Sequence, residues 1–354
     1  MHPGNLGSAL VFAVVPAFVL LAVIYWLDRY EKEPARLLAT ALLFGAVLAP
    51  LAAVLIQKAA GVPTSIVVQS VIPHSRLSAA TPLIEELARG IAILAVILLV
   101  RYEVDDLLDG LVYGAVVGVG FGLAVNFLAI LTTHPLPGGD TSASLFSTMV
   151  SGLNHVFYGA LIGAVIAAAR KSGTGALVVA AAAGIAAAYG LHVVHDYLPW
   201  WLAAAPGTAS TSHAAGLLSE IPNYFGLAAL AVLAAWTLYR EGEVIGRELH
   251  DEVGRSITTE EYEIVTSPLR RFVVMFKALY SGGNDFGLRR RLYSQAVELA
   301  FRKHHRDSDK LQTREYVDED VYRHRLAELR AKLNAVLEVA AHRGAPAAGP
   351  GGER

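Results

Sequence analysis

Long apolar stretches, separated by short polar or Pro/Gly-rich intervals, fill the chain up to Tyr239. Beyond that point charged and apolar residues alternate at helical spacing. Seven stretches are long enough to cross a hydrocarbon core, which takes about 20 helical residues. They cover approximately 8–27, 37–60, 80–100, 107–132, 146–169, 174–198 and 220–239. The fifth and sixth are joined only by Arg170-Lys-Ser-Gly173. Residues 61–79, with Pro63 and Pro73, and 133–145, with Pro135, Pro137 and Gly138-Gly139, are expected to be loops. In the charged segment, Leu326, Leu329, Leu333 and Leu337 make an apolar stripe within 321–342, and Glu298 and Arg302 stand i, i+4. The pattern predicts an all-α polytopic membrane protein: about seven transmembrane helices in 1–239, a small helical domain in 240–343 and a disordered tail over 344–354.

Composition sharpens this. Of 354 residues, 54% are hydrophobic, too many for an ordinary soluble domain. Residues 1–239 hold 9 Lys+Arg and 12 Asp+Glu, whereas 240–354 hold 20 and 19. A tail so evenly balanced is not the basic footprint of a nucleic-acid binder. With no cysteine, disulfides and thiolate metal sites are excluded. The N-terminus Met1-His-Pro-Gly lacks the basic start of a secretory signal, so the first apolar run reads as a retained helix. Basic residues also choose a side. Arg29, Lys32, Arg36, Arg101, Arg170, Lys171 and Arg240 fall on one side of the predicted spans, and only Lys58 and Arg76 on the other. The positive-inside rule then puts the N-terminus outside and the tail in the cytoplasm. The tail reads as a small helical hairpin or bundle, with a dimerisation or partner-docking unit as the functional alternative. Within it, Ser267-Pro-Leu-Arg-Arg-Phe-Val-Val-Met-Phe-Lys277 has the basic and apolar mixture of a helix lying on a lipid surface.

Gly110, Gly114, Gly118 and Gly122 recur every four residues in the fourth span, and Gly159 and Gly163 repeat the device in the fifth. Such ridges let helices approach closely, so both spans are expected in the interior. The polar residues inside these spans are few. Glu85, Glu86 and Arg89 lie in the third, Asn126 in the fourth, His155 in the fifth, and His192, His195 and Asp196 in the sixth. At 1.5 Å per residue, all fall in the outer half of the bilayer at similar depth. A single charge at mid-bilayer costs about 3 kcal/mol on insertion scales, so two adjacent carboxyls are retained for a purpose. Glu85 and Arg89, at i, i+4, can pair on one face, with Glu86 pointing about 100° away. His192 and Asp196 share the same spacing, so the Asp can orient the imidazole or join it on a metal.

Paired carboxylates with two or three histidines at one depth suit hydrolysis. One Glu takes a proton from water, while histidines bind a divalent ion or stabilise an oxyanion. The same set also suits a proton or ion relay. No HExxH, P-loop or Gly-rich dinucleotide loop is present.

Several segments resemble those of PrsW-type intramembrane proteases. They are Asp28-Arg-Tyr-Glu-Lys-Glu-Pro34, Glu85-Glu86-Leu-Ala-Arg89, the Gly-rich run from Asp109 to Asn126, Asn154-His155, and His192 with Asp196. The last resembles an element shared with the wider clan of CAAX prenyl endopeptidase-like membrane proteases. The resemblance covers about residues 20–200. It implies an intramembrane endopeptidase of a bacterial-type plasma membrane, making a site-1-type cut in a membrane-anchored substrate, anti-sigma-factor-like, near the extracytoplasmic face. It also implies Glu85 or Glu86 as water-activating base, with His155 and His192 as ligands or oxyanion donors. Arg89, Asn126, His195 and Asp196 would be in support. A divalent metal, zinc by expectation, would be held by His155 and His192 with Glu85 or Glu86, although the clan includes metal-independent glutamate proteases. One position departs: the fourth-span motif usually ends Glu-Asn, and here it reads Val125-Asn126. Two rival readings therefore stand beside the protease: an inactive substrate-binding or scaffold member, and a proton- or ion-coupled transporter. A homo-oligomer joined through the tail is a further expectation.

Overall fold

The computed structural model describes residues 3–28, 30, 32–62, 79–101, 103–104, 106–132, 141–203, 212–280, 285–304 and 318–344. Every regular element among them is helical. Contacts divide the chain into two compact units, Met1–Ala234 and Ala235–Arg354. The division falls at Ala234 rather than at the Tyr239 boundary expected from composition.

In the first unit, α1 runs through the segments Pro3–Ala9, Leu10–Val14 and Val15–Leu27, and α2 through Ala35–Leu43, Phe44–Leu48 and Ala49–Ala59. The middle segment of each is a π turn. There follow α3 (Ala80–Leu99), α4 (Leu107–Thr132), α5 (Thr141–Ala168), α6 (Thr174–Ala203) and α7 (Ser212–Leu249), the last of which continues into the second unit. Five described stretches are long and apolar enough to cross a membrane: Leu6–Leu27, Ala35–Ala59, Leu107–Leu131, Thr174–Leu198 and Glu220–Glu252. The two other predicted spans are helices too. α3 carries three ionisable side chains, and the described apolar stretch of α5 is Gly152–Ala168. Helix α5 starts at Thr141, inside the predicted 133–145 loop, and α7 runs past Tyr239 because Arg, Glu and Leu after it are good helix formers. The predicted loop residues 63–78 and 133–140, Arg29 of the charge argument, and 345–354 of the predicted tail lie outside the described residues.

α4 is the interior helix of this unit, with most of its length buried. Its glycine ridge explains why. A Cβ on Gly114 would strike the carbonyl oxygen of Gly159, and one on Gly163 that of Gly110. The backbones of α4 and α5 therefore touch directly, as the small-residue spacing predicts. On the other side of α4, a Cβ on Gly120 would lie 2.6 Å from the carbonyl oxygen of Leu42, beside the π turn of α2.

The described residues of the second unit include the end of α7, a 3₁₀ turn at His250–Glu252, and the α-helices α8 (Thr259–Thr266), α9 (Pro268–Tyr280), α10 (Phe286–His304) and α11 (Glu319–Gly344). Thr258 and Glu261 form a reciprocal capping box that starts α8. The core gathers Leu249, Val265, Leu292, Leu299, Ala300 and Leu326. Of the predicted leucine stripe, Leu326 and Leu333 are buried, Leu329 is half-buried, and Leu337 is exposed. Glu298 accepts a hydrogen bond from the Tyr322 hydroxyl on α11 at 3.5 Å.

Candidate active site

Glu86, Arg89, His155 and His192 come from three helices and form one connected buried cluster. Glu86 and Arg89 are fully buried, one turn apart on α3. Arg89 Nη1 donates to both carboxylate oxygens of Glu86 at 2.6 Å. Its Nη2 lies 2.9 Å from His155 Nδ1 on α5. A guanidinium has only donors, so this His155 nitrogen accepts, and the ring proton sits on Nε2. On α6, His192 Nδ1 lies 2.8 Å from Glu86 Oε1, which can only accept from it. The two imidazole centroids are 6.2 Å apart. The spacing allows Arg89 to pair with Glu85 at i, i+4. The bidentate-like bond goes instead to Glu86 at i, i+3.

Glu85, also buried, points to a different neighbour. Gln57 Nε2 on α2 lies 3.4 Å from Glu85 Oε1 and 3.5 Å from the Thr81 carbonyl. The remaining predicted residues lie around the cluster. Asp196 Oδ2 is 3.6 Å from His192 Nε2. His195 Nδ1 is 3.6 Å from Glu220 Oε1 on α7, and Asn154 Nδ2 donates to Glu220 Oε2 at 3.0 Å. Asn126 is buried against Gly152, whose Cβ would lie 2.9 Å from the Asn126 amide nitrogen. Val125, where the family pattern has Glu, is packed in the apolar interior.

The glycine ridge positions the histidine. A Cβ on Gly118 would strike the carbonyl oxygen of His155, and one on Gly122 would sit 3.3 Å from its ring. Small residues on α4 thus set both the height and the ring plane of His155.

Four residues near the cluster were not picked out from the sequence. Phe121 lies under the guanidinium, with Arg89 Cζ 4.3 Å from its ring centroid. Tyr158 stacks on His192 at 5.2 Å and donates its hydroxyl to Asn223 Oδ1 on α7 at 3.2 Å. Glu220 and Asn223 both flank Pro222, a proline inside α7 whose missing N–H breaks one helix bond there. Helical spacing offered a signal: Tyr158 is one turn from His155, and Asn223 one turn from Glu220. Two buried donors, Arg89 Nε and Asn223 Nδ2, have no hydrogen-bond partner among the described residues. A buried donor without an acceptor is costly, about 1–3 kcal/mol, and suits a site that receives a polar group.

The expected metal set was His155 and His192 with one of the two glutamates. As arranged, these donors do not fit a resident ion. The Arg89 guanidinium already bridges Glu86 and His155, so a cation occupies the position a divalent ion would take. Among the described residues no group of three His, Asp or Glu side chains is placed to hold a metal.

The sequence profile of the PrsW family intramembrane metalloproteases matches residues 33–235, more than half of the chain. No curated protein and no solved structure matches it.

Proposed function

The chain belongs to the PrsW family of intramembrane metalloproteases, and from that premise we propose that it cuts a membrane-anchored protein by direct attack of water near the extracytoplasmic face. The observation that carries this is the unbroken chain His192–Glu86–Arg89–His155 inside an apolar helix bundle. In this reading seven helices cross the bilayer, with the N-terminus outside and the tail cytoplasmic. The five apolar stretches and the distribution of basic residues support it.

Each residue then has a task. Glu86 is the anchor: Oε1 accepts from both Arg89 and His192, and Oε2 from Arg89, so its lone pairs are largely taken. It fixes the His192 ring, while Arg89 fixes the His155 ring. Glu85 takes the proton as water oxygen attacks the scissile carbonyl carbon. The Nε2–H of His155 donates to the oxyanion that forms. Glu85 then returns the proton to the departing amide nitrogen as the C–N bond breaks, leaving a carboxylic acid and a free amine. Water-excluded surroundings strengthen each of these contacts. An anti-sigma-factor-like single-span protein is the substrate class the family reading favours.

Purified protein in liposomes, mixed with a single-span substrate, tests this. The wild type should release a fragment cut in the outer half of the span, and Glu85→Gln should not. A second reading, a binding member without hydrolysis, draws on the buried Val125. Equal fragment release by wild type, Glu85→Gln and His155→Ala would refute the protease mechanism. Stable substrate co-purification without any fragment would establish the binding reading instead.

A further inference from the structure

The second unit hides its charged residues better than its apolar ones at one place, α9. Its buried face is Arg271 and Ala278, with Val274 and Met275 half-buried alongside. The opposite face carries Leu269, Phe272, Val273, Phe276, Leu279 and Tyr280, all exposed, with Tyr280 at 87% and Leu269 at 73%. At 100° per residue these six fall within an arc of about 120°. Phe272, Phe276 and Tyr280 stack in series at 6.0 and 6.2 Å, so the arc has a continuous aromatic spine. A helix of a soluble bundle would point that arc inward. Here it points out.

Charge says what covers it. Arg270, which also pairs with Glu263 on α8, and Lys277 are exposed and flank the arc on one side. Across residues 268–291 there are six basic residues, Arg270, Arg271, Lys277, Arg289, Arg290 and Arg291, against the single acid Asp285. The rest of 240–354 holds 14 basic and 18 acidic residues, so the positive excess of the tail is confined to this segment. An apolar stripe bordered by basic residues matches a surface of acyl chains under anionic headgroups. Earlier on the same chain, α7 carries exposed Trp236 and Tyr239, with Arg240 stacked over the Trp236 ring at 5.1 Å. Aromatic residues followed by Arg mark the cytoplasmic edge of a span. The chain is therefore held at a membrane a short distance before α9. A second copy is a poorer occupant. The 13-residue helix is about 20 Å long, and its outer face offers roughly 300 Å², well short of the ~800 Å² each partner of a standard interface buries.

We propose that α9 docks flat on the inner leaflet of the bilayer, inserting the Leu269–Tyr280 face among acyl chains and placing Arg270 and Lys277 against anionic headgroups. The tail is then a membrane-surface module that reads leaflet charge.

The chain has no native cysteine, so single labels can be placed without background. The full-length protein carrying Phe276→Cys or Leu279→Cys is labelled with bimane and placed in nanodiscs containing nitroxide-labelled lipid. Ala331→Cys, exposed on α11, is the reference position. Strong quenching at 276 and 279 relative to 331, present with phosphatidylglycerol discs and weaker in phosphatidylcholine discs, is the expected result. Lys277→Gln should lower the docked-to-undocked ratio about fivefold in the phosphatidylglycerol discs. Quenching no greater at 276 and 279 than at 331 would overturn the proposal. So would energy transfer between labels on two copies at 276 without lipid quenching, since that would show a second copy as the occupant.

Discussion

Two glutamates, one in each unit, are completely buried, and they are satisfied in opposite ways. Glu252 in the tail accepts from Arg323 Nη2 at 2.6 Å, from Ser256 Oγ at 2.5 Å and from Lys303 Nζ at 3.4 Å. Arg323 also binds Glu319 and Asp320, and Lys303 binds Asp251. Every donor group of that guanidinium has an acceptor, and the outer acids reach water. Glu86 has an arginine just as close, yet its network runs to two histidine rings, with Asp196 3.6 Å beyond one of them, and leaves Arg89 Nε without a partner among the described residues. A closed network stabilises a fold. An open one carries an unsatisfied donor where such groups are most expensive.

The largest effects should separate chemistry from support. Glu85→Gln is expected to lower the cleavage rate about 10²- to 10⁴-fold, with the thermal midpoint in detergent unchanged. Glu252→Gln is expected to do the reverse: removing one partner of a buried ion network costs about 3 kcal/mol, read as a lower midpoint for the tail, while cleavage per folded molecule stays as in wild type. Glu86→Gln should lower both quantities, because Glu86 holds His192 as well as Arg89. If Glu86→Gln behaved like Glu252→Gln, losing stability alone, the two networks would be of one kind and the contrast between them would fail.

The apolar helices and the four members of the buried cluster stand out in the sequence for a physical reason. A carboxyl or imidazole in lipid is expensive, so Glu85, Glu86, His155 and His192 stand out in their apolar runs. Tyr158, Phe121 and Asn223 did not, since aromatic and amide side chains are ordinary occupants of packed helices. Glu220 sits at the start of a predicted span, where an acid costs little. Sequence leaves the partner of Arg89 open because i, i+3 and i, i+4 both lie on one helix face, and the inter-helix contacts with His155 and His192 decide between them. The outward apolar arc of α9 has the same pattern as an inward one, and periodicity alone does not say which face packs.

A smaller perturbation moves the open network without touching any charge. Gly118→Ala would push a methyl into the His155 carbonyl, a backbone atom with nowhere to go. Overpacking of this kind costs about 1–3 kcal/mol, and it should displace His155 from Arg89 and cut the cleavage rate with it. Gly122→Ala meets the His155 ring at 3.3 Å, which a shift of a few tenths of an ångström relieves. Its effect on rate should be several-fold weaker than that of Gly118→Ala. Thermal midpoints and cleavage rates of the two variants, measured side by side, check the order. The opposite order would mean that the ring plane of His155 matters more than its height on α5.

The smallest effect concerns a third buried carboxyl, which lies between the two glutamates in kind. Asp28, just past the end of α1, accepts from the backbone N–H of Glu33 at 2.8 Å rather than from a guanidinium. Burial pushes its pKa from 3.8 up to about 7, against the opposing pull of that N–H and of Lys32; nearby Asp106 adds a little more. The sign follows from proton counting. Between about pH 4 and 7 the folded chain holds a proton on Asp28 that the unfolded chain has released, so stability is greatest below this window and falls as pH rises through it. Above about 7 both states are ionised and the dependence vanishes. Asp28→Asn keeps an acceptor for the Glu33 N–H and removes the titration. Across the window, the thermal midpoint of wild type should therefore fall more steeply with pH than that of Asp28→Asn. Equal slopes would mean that water reaches Asp28.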